Sequence, residues 1–330
     1  MAMTDSLNRP LRDLRISVTD RCNLRCEYCM PGDRTYHFMP KKELLNFEEI
    51  TTVASIFAEA GVEKLRLTGG EPLLRRDLPE LIRFLSEIKG IKDVALTTNG
   101  VTLARWAQPL AEAGLRRITV SLDSLDQETY AKMSGHKASV QAPLKGIRAA
   151  TAAGLPVKIN TVVQRGINDA ELLDMVRFGR DHGHVVRFIE FMDVGNLNEW
   201  KKRLVISAVE IRDRINQAFP CEPVAPDYPG EVARRYRFKD GQGEFGIIAS
   251  VSQPFCRSCT RARISADGQL YTCLFSGKGH DLKTRLRESG RQSVADLITH
   301  IWTRRDDRYS ELRNEDPSVV EKVEMFQIGG

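Results

Sequence analysis

The stretch that decides the fold is Arg15-Ile-Ser-Val-Thr-Asp-Arg-Cys22-Asn-Leu-Arg-Cys26-Glu-Tyr-Cys29. A short β-rich run comes first, and three cysteines with the spacing C-x3-C-x2-C follow it directly. Thiolates are soft ligands that suit iron–sulfur clusters and zinc. A structural zinc site normally has four protein ligands, whereas three thiolates on a four-iron cluster leave one iron open for a small molecule. A zinc site completed by a distant ligand is the alternative.

The same run begins a series in which β-rich segments alternate with helical patterns as far as Met192. The predicted strands are Arg15–Thr19, Lys64–Leu67, Val94–Thr97, Arg117–Leu122, Val157–Val163 and Val185–Phe191. Six strand–helix repeats predict parallel strands with right-handed crossovers, in a doubly wound sheet or a barrel. In either fold the working loops follow the carboxyl ends of strands. The unusual segments Thr68–Pro72, Thr98–Gly100 and Ser121–Ser124 lie there, as does the first cysteine group.

Helix boundaries are predicted from capping patterns and apolar spacing. Asn46 with Glu49, and Asn168 with Glu171, each place a capping side chain three residues before a carboxylate, which predicts a helix start. Beyond Met192 the alternation fades, and a helix is predicted near 207–219. Two more helices are predicted at about 281–289 and 293–304.

Composition and charge narrow the functional classes. The chain has 330 residues, of which 42% are hydrophobic and 28% are charged, and this balance is typical of a soluble globular protein. No apolar run approaches the roughly 20 residues of a membrane helix, and Met1–Arg15 has no signal-peptide core, so the expected location is the cytoplasm. A net charge of +5 is compatible with an anionic substrate such as a nucleotide, and no Lys/Arg block indicates nucleic-acid binding.

A second cysteine group, Cys256-Arg-Ser-Cys259 followed by Cys273, is again a triad. Because the chain has seven cysteines and no secretion signal, a disulfide framework is not expected. A zinc site that uses Cys221 or His280 as its fourth ligand is one interpretation. An auxiliary four-iron cluster with its own open iron is the other. Cys221 is otherwise expected to be a buried, inert thiol.

The segment Arg261-Ala262-Arg263 follows Cys259 almost directly. Alternate residues of an extended segment point the same way, so the two guanidinium groups project together. Such a pair suits a phosphate chain, which guanidinium groups bind bidentately. A solvated basic edge is the alternative, but the position beside a cluster ligand favours a substrate site.

Two motifs connect the chain to a known superfamily. The first cysteine group, with Tyr28 before its last cysteine, resembles the signature of radical S-adenosylmethionine enzymes, and Thr68-Gly69-Gly70-Glu71-Pro72 resembles their GGEP motif. Nearly the whole chain resembles the molybdenum-cofactor biosynthesis protein A family, the GTP 3′,8-cyclases. The segments that carry this resemblance are 15–31, 66–75, 97–100, 121–125, 158–160, 187–192, 256–273 and the terminal Gly329-Gly330.

The resemblance implies an α/β fold with an incomplete (β/α)6 TIM-type barrel of parallel strands in residues 1–192. A C-terminal extension, residues 193–330, would carry an auxiliary [4Fe-4S] site and the Gly-Gly tail. The implied cofactors are two [4Fe-4S] clusters and S-adenosylmethionine. The radical-generating cluster would be held by Cys22, Cys26 and Cys29, and the auxiliary cluster by Cys256, Cys259 and Cys273.

The resemblance also assigns residues to ligands. Contacts to S-adenosylmethionine, partly through the backbone, are implied for Tyr28, Gly70, Ser121 and Met192. The implied GTP site consists of Arg15, Arg66, Thr97, Lys158, Arg261, Ala262 and Arg263. The residues implied in catalysis are Cys22, Cys26, Cys29, Arg261 and Arg263. Ala262 stands where the family commonly has threonine, which removes one hydroxyl group.

The implied activity is the cyclisation of GTP to (8S)-3′,8-cyclo-7,8-dihydroguanosine 5′-triphosphate, an early step of molybdenum cofactor biosynthesis. The implied partners are an external one-electron donor and cyclic pyranopterin monophosphate synthase, which takes the product onward; a homodimer is also expected. No nucleic acid or membrane partner is expected. Two other classes fit parts of the sequence: a radical enzyme that acts on a peptide, and a zinc-stabilised nucleic-acid-binding protein. The Gly-Gly tail is either a frayed end or, as the resemblance implies, part of the active site.

Overall fold

Six parallel strands form the centre of the sheet in the computed structural model. The structure describes residues 3–198, 200–313 and 322–329. These strands are β1 (Asp13–Ser17), β2 (Lys64–Thr68), β3 (Asp93–Thr98), β4 (Arg117–Ser121), β5 (Val157–Val163) and β6 (Val185–Glu190). The helices between them are α1 (Phe47–Glu59), α2 (Leu78–Ser86), α3 (Leu103–Glu112), α4 (Gln127–Ser134), α5 (Gln141–Ala152) and α6 (Leu172–His182). Each strand is hydrogen-bonded in parallel to the next one along the chain. All six predicted strands are therefore confirmed, although β1 begins two residues earlier than predicted because Asp13 pairs with Lys64.

The helices pack their apolar faces against this sheet. α1 begins with the predicted capping box, in which the side chain of Asn46 accepts from the backbone nitrogen of Glu49 and the Glu49 carboxylate accepts from that of Asn46. Together these bonds satisfy two backbone donors that the first helical turn otherwise leaves free. On α2 the apolar residues Leu81, Ile82 and Leu85 are fully buried.

The helical segment begins where the pattern at Asn168 predicts, as a 3-10 turn (Asp169–Glu171) that leads into α6, but the Asn168 side chain does not form the predicted capping bond. The side-chain amide of Asn168 instead donates to the backbone oxygens of Asp123 and Val162, and its oxygen accepts from the backbone nitrogen of Gln164. The Glu171 carboxylate accepts from Ser124, and α6 begins only at Leu172, after a short 3-10 turn. Asn168 thus fixes the loops that follow β4 and β5 rather than a helix end.

The C-terminal extension continues the same sheet at both of its edges. It contains the strands β7 (Cys221–Val224), β8 (Arg234–Phe238), β9 (Glu244–Ile248), β10 (Arg261–Ile264), β11 (Gln269–Tyr271) and β12 (His280–Asp281), and the helices α7 (Ala208–Ala218), α8 (Leu282–Thr303), α9 (Tyr309–Leu312) and α10 (Met325–Ile328). β10 pairs in parallel with β1, and β9 pairs in parallel with β6. The strand order is β12-β11-β10-β1-β2-β3-β4-β5-β6-β9-β8-β7. The predicted α/β fold, a partial barrel with an extension, is confirmed.

The two helices predicted near the C-terminus are confirmed, and they meet at a kink. The kink lies at Gly290, whose φ of 76° and ψ of −174° are not helical, and the two helices together are called α8 (Leu282–Thr303). Arg287 and Arg291 lie on opposite sides of this bend, and both form ion pairs with α1, to Glu49 and Glu59. The bend therefore keeps both halves of α8 beside α1.

The core lies between the sheet and its outer helices, and the opposite face of the sheet lines a cavity. Leu14 and Ile16 of β1 are at most 1% exposed and belong to the core, whereas Arg15 between them lines the cavity. This alternation is the two-residue period of a strand. Among the residues that the structure describes, no helix combines the length and the apolar character that membrane crossing requires.

Candidate active site

A single cavity of about 550 Å³ brings the two cysteine groups and the predicted ligand-binding residues together. Those that line it are Arg15, Cys22, Cys26, Tyr28, Cys29, Arg66, Gly70, Thr97, Ser121, Lys158, Met192, Cys256, Cys259, Arg261, Arg263 and Cys273. The volume is within the range of small-molecule sites in proteins. Residues separated by about 250 positions in the sequence therefore face one space.

Strand direction puts the two cysteine groups at opposite ends of this cavity. The first group follows the carboxyl end of β1, at Ser17, whereas Cys256 and Cys259 precede the amino end of β10, at Arg261. Since β1 and β10 run in parallel with Asp13 opposite Arg261, the two groups lie beyond opposite ends of this strand pair. Five residues of strand extend over roughly 16 Å. A ligand between the two groups has room for the length of a nucleotide.

The first cysteine loop is held by the glycine turn after β2. Gly70 donates to the backbone oxygen of Thr19, and Glu71 donates to that of Arg21. A Cβ atom on Gly70 would lie 2.4 Å from the Arg21 oxygen, so only glycine fits at this position. The GGEP turn and the cysteine loop therefore form one unit.

The first three thiols are buried together, and burial outweighs the effect of the nearby Arg25 guanidinium on Cys22. Burial raises the pKa of Cys22 to about 11 and also raises the pKa values of Cys26 and Cys29, to which the Cys22 thiolate adds. Such a site favours thiolates only when a metal cation is bound, because the cation reverses this electrostatic balance. The donor set, three soft ligands and no carboxylate, fits an iron–sulfur cluster.

The second triad has a different electrostatic environment. Burial by itself raises the pKa of Cys259, but the guanidinium groups of Arg261 and Arg305 outweigh that effect and lower the pKa to about 7. Cys273 has a pKa raised to about 12, mainly by burial. In the described part of the chain, no three His, Cys, Asp or Glu side chains are arranged to hold a single metal ion. This absence does not bear on a four-iron cluster, in which each thiolate binds a different iron atom.

Two buried carboxylates support the first loop. Glu71 accepts hydrogen bonds from the Thr98 hydroxyl at 2.6 Å and from the backbone nitrogen of Asn99 at 2.7 Å, and burial raises its pKa to about 7. Asp123 accepts from the Tyr28 hydroxyl at 2.7 Å, and burial raises its pKa to about 6. The Tyr28 side chain is therefore engaged within the protein, which leaves its backbone for a ligand.

Basic side chains crowd the middle of the cavity. Burial and neighbouring guanidinium groups lower the pKa of Arg15 well below its usual value, and burial lowers the pKa values of Arg66 and Arg263 to about 10. Lys158 also has a lowered pKa, for the same reason. Within the residues that the structure describes, buried nitrogens of Arg15 and Arg261 have no hydrogen-bond partner. Buried cations whose pKa values are lowered by burial, and which keep free donors, are the environment that a polyanion stabilises.

Arg187 is a cavity residue that the sequence-based assignment of ligand contacts did not include. It donates to the Thr119 hydroxyl at 3.0 Å, and Arg66 donates to the same hydroxyl at 3.2 Å. Burial, together with Arg66 and Arg117, lowers the pKa of Arg187 to about 9. Its buried Nε atom has no partner in the described residues. The sequence feature that could have identified Arg187 is its position on a predicted strand of a parallel sheet. A charged residue there is costly unless it lines a site.

The floor of the cavity contains another group that sequence reasoning missed. The ammonium group of Lys64 lies 3.0 Å from the centre of the Tyr228 ring, which is a cation–π contact. Lys64 and Tyr228 both line the cavity. Gly230 of the same loop packs against the second cysteine loop, where a Cβ atom would lie 2.9 Å from the Ser258 oxygen. No local sequence pattern indicates these contacts.

Gly329, next to the C-terminus, reaches the cavity wall. Its backbone oxygen accepts a hydrogen bond from the guanidinium group of Arg263, and a Cβ atom on it would lie 2.0 Å from Thr68 Cγ2. Phe326, on α10, lines the cavity. Gly330 lies outside the described residues. The described end of the tail therefore contacts a residue of the predicted GTP site.

The side chain of Ala262 does not reach the cavity, in contrast to Arg261 and Arg263. It is fully buried in the hydrophobic core, opposite Leu14 of β1. The predicted substrate contact is therefore wrong for this side chain, because alternation along β10 turns its methyl group away.

Cys221 lies on the outermost strand, is only partly buried, and does not line the cavity, so the expectation of a buried thiol is wrong.

Two family models match the chain. The model described as Radical SAM superfamily matches residues 16–179, and the model described as Molybdenum Cofactor Synthesis C matches residues 184–311. The parallel sheet, the cysteine loop after β1 and the GGEP turn after β2 lie within the first match. Fold and site together define a radical S-adenosylmethionine enzyme, with a cofactor site for S-adenosylmethionine and an iron–sulfur cluster.

Curated relatives identify the family within this class. The proteins named GTP 3′,8-cyclase from Acidothermus cellulolyticus, Xanthomonas campestris and Aquifex aeolicus are 54%, 51% and 49% identical to this chain. Each alignment covers 99% of this chain and at least 97% of the relative. The chain belongs to the GTP 3′,8-cyclase family.

Solved structures of two proteins bound to S-adenosylmethionine share the fold. Streptococcus suis SuiB bound to S-adenosylmethionine has 17% identity and a TM-score of 0.60, and the match covers 92% of this chain and 68% of that one. The protein anSMEcpe with bound AdoMet and the Cp18Cys peptide has 14% identity and a TM-score of 0.57, covering 96% of this chain and 94% of that one. At these identities the likeness shows the fold alone.

Proposed function

We propose that this chain cyclises GTP to (8S)-3′,8-cyclo-7,8-dihydroguanosine 5′-triphosphate, an early step of molybdenum cofactor biosynthesis. Membership of the GTP 3′,8-cyclase family supports this function. The observation that carries it is the group of buried basic side chains, some with unpaired donor nitrogens among the described residues, between two cysteine triads in one cavity. A triphosphate supplies the negative charge that this group lacks.

The cofactors are one [4Fe-4S] cluster on each triad and S-adenosylmethionine. Cys22, Cys26 and Cys29 would hold the first cluster, which together with S-adenosylmethionine would supply one-electron radical chemistry at the GTP ribose. Tyr28, Gly70, Ser121 and Met192 line the cavity near the first triad and orient S-adenosylmethionine. The rigid backbone of the glycine turn presents fixed donors and acceptors to that ligand, as a preorganised site requires.

The protein holds GTP between the two triads. Arg15, Arg66, Lys158, Arg261 and Arg263 bind and orient the triphosphate, and Thr97 fixes Arg66 by accepting its hydrogen bond at 3.1 Å. The guanine end is oriented toward Cys256, Cys259 and Cys273. GTP bound between the triads would displace water from the cavity, which protects a carbon radical from side reactions.

The proposal also covers the division of the chain and the proteins that act with it. Residues 1–192 form the radical-generating unit, and residues 193–330 form the extension with the second cluster. An external one-electron donor reduces the enzyme, and cyclic pyranopterin monophosphate synthase takes the product onward. The enzyme acts in the cytoplasm, as a homodimer.

The activity is tested by anaerobic incubation with S-adenosylmethionine, a reductant and GTP. We expect 5′-deoxyadenosine and the cyclised nucleotide to form together. Formation of 5′-deoxyadenosine only with a peptide, and never with GTP, would reject the proposal in favour of a peptide-modifying enzyme.

The cluster count is tested by metal analysis after anaerobic purification. About eight irons and a similar amount of sulfide per chain are expected for two four-iron clusters. Zinc at both triads, with a colourless protein, is the contrary result. It would favour a zinc-stabilised binding protein.

A further inference from the structure

A buried group of three charged side chains lies behind the second cysteine loop. Asp5, Arg9 and Arg305 are 5%, 2% and 5% exposed, and they come from segments about 300 residues apart. None of the three belongs to a motif of the sequence, and the proposed function does not use them.

Asp5 is the centre of this charged triad. Its Oδ2 atom accepts from Arg9 Nε at 2.5 Å and from Arg305 Nη1 at 3.3 Å. Its Oδ1 atom accepts from the backbone nitrogens of Leu7 and Arg9, both at 2.9 Å. One carboxylate therefore fixes two guanidinium groups and the turn that carries one of them.

Each arginine of the charged triad also binds the backbone of a predicted cluster ligand. Arg9 Nη1 donates to the backbone oxygen of Cys256 at 2.8 Å, and Arg305 Nη1 donates to that of Cys259, also at 2.8 Å. Arg9 Nη2 is buried and has no hydrogen-bond partner among the described residues. A free buried donor next to this loop is costly unless something absent from the structure accepts from it.

Other contacts fix both arginines in place. Arg9 Nη1 also donates to the backbone oxygen of Asp307 at 2.8 Å, and the backbone oxygen of Arg9 accepts from the Trp302 indole at 3.3 Å. The Arg305 guanidinium lies 4.6 Å from the centre of the Trp302 ring. The two donors to the cysteine loop therefore have little freedom to move.

Burying three charges is an expensive way to stabilise a fold, because well-packed apolar side chains often do so equally well or better. What the charged triad provides instead is directional bonding to two backbone oxygens of a loop that must present thiols at fixed positions. Mutation of groups that orient metal ligands typically lowers metal affinity about 10- to 100-fold.

We propose that Asp5, Arg9 and Arg305 are positioning residues that hold the Cys256–Cys259 loop in the geometry that binds the second cluster. The inference rests on the proposed function, since it requires the second cysteine triad to hold a cluster. The N-terminal segment is then part of the metal site, although it lies some 250 residues from the ligands in the sequence.

The experiment uses two full-length parent proteins, each with one cysteine triad replaced. In the first parent, alanine replaces Cys22, Cys26 and Cys29, so only the second cluster site remains. In the second parent, alanine replaces Cys256, Cys259 and Cys273, so only the first cluster site remains. Asp5→Asn and Arg305→Lys are introduced into both, and iron, sulfide and the electron paramagnetic resonance spectrum of the reduced cluster are measured. Asp306→Asn and Arg304→Lys, at exposed neighbouring positions, are the matched controls.

The first parent is expected to hold about four irons. Asp5→Asn and Arg305→Lys should lower that number at least tenfold or shift the resonance spectrum, whereas both controls should change neither. In the second parent the same two substitutions should leave iron and spectrum unchanged, which shows that the chain still folds around its first site.

Two results would overturn the inference. One is retention of about four irons with an unaltered spectrum when Asp5→Asn or Arg305→Lys is placed in the first parent. The other is loss of iron from both parents, since that indicates a general structural role. If the first parent itself binds no iron, or binds zinc, the proposed function has failed at the second cluster. This result is seen before any substitution is made in the charged triad.

Discussion

At the scale of single residues, the cavity contains buried cations that form no ion pair with any residue that the structure describes. Arg66 and Arg187 share the hydroxyl group of Thr119, and Arg187 keeps a buried nitrogen without a partner in the described residues. A buried guanidinium that is only half satisfied costs free energy in the empty protein. An anion that accepts a hydrogen bond from this guanidinium restores that free energy. The affinity for GTP is therefore linked to the missing hydrogen bond of Arg187.

Replacement of Arg187 by methionine should therefore weaken GTP binding more than it weakens the fold. We expect the KM for GTP to rise on the order of 10- to 100-fold, since a hydrogen bond to a charged group contributes about 1.5–3 kcal/mol. Steady-state kinetics at unchanged iron content provides the measurement. Arg148→Met, at an exposed position on α5, is the control. An unchanged KM in the Arg187 variant would remove this residue from the GTP site.

Glu71 predicts a dependence of stability on pH. Its pKa is raised by burial from 4.5 to about 7 in the folded protein. The group therefore contributes stability that is complete below about pH 4.5 and is lost as the pH rises through about 7. The difference corresponds to about 3 kcal/mol.

The measurement compares the cluster-free wild type with Glu71→Gln by urea unfolding between about pH 4.5 and pH 8. The wild type should lose stability relative to the variant as the pH rises, because glutamine has no proton to release. Glu80→Gln, at an exposed position on α2, should follow the wild type. Parallel curves for the wild type and the Glu71 variant would show that Glu71 titrates as it does in the unfolded chain.

At the scale of elements, local patterns predicted the strands and the loops that follow them. Alternating or continuous apolar runs marked all six strands of the first half, because a parallel sheet is buried on both faces. The same rules failed where a side chain has a partner far away in sequence. Asn168 has the local pattern of a helix cap, yet its amide bonds the loop at Asp123, 45 residues earlier.

The residues that sequence reasoning missed have the same explanation. Tyr228 and Asp5 carry no motif, and each matters because of contacts made across the folded chain. The cysteine loops were found because C-x3-C-x2-C and C-x2-C are local spacings typical of metal ligands. The contact implied for Ala262 came from the family motif, which does not separate side-chain from backbone contacts, and the Ala262 side chain faces the core.

The bend in α8 makes a prediction about this element. Gly290 has a φ of 76° and a ψ of −174°, and a Cβ atom on it would meet no other atom within 4 Å. Gly290→Ala should therefore destabilise the protein by about 1–3 kcal/mol through backbone strain alone. Chemical unfolding of the cluster-free protein measures the effect, with the exposed Ser289→Ala as the control. Equal stability of the two variants would mean that α8 straightens at no cost.

At the scale of the whole molecule, both ends of the described chain contact the catalytic cavity or its walls. Asp5 and Arg9 support the second cysteine loop, and Gly329 binds Arg263 at the opposite end of the sequence. The described N-terminal and C-terminal segments therefore both contribute contacts to the cavity or its walls.

Gly329→Ala should disturb the site, since its Cβ atom would lie 2.0 Å from Thr68 Cγ2 at the start of the GGEP turn. We expect kcat/KM to fall on the order of 10- to 100-fold at unchanged iron content, as small misplacements in a preorganised site do. Thr68→Ser removes the obstructing carbon and should restore part of the activity when it is combined with Gly329→Ala. Full activity of the single Gly329→Ala variant would show that the tail leaves the cavity during turnover.

The twelve-stranded sheet has a further consequence for how the chain tolerates cutting. β10 and β9 cover the outer edges of β1 and β6, and both belong to the segment beyond residue 192. A product of proteolysis that ends there would display two rows of bare peptide groups, which are templates for pairing with other copies. Such a piece would accumulate as insoluble aggregate, so loss of the extension removes the enzyme from solution before its chemistry matters.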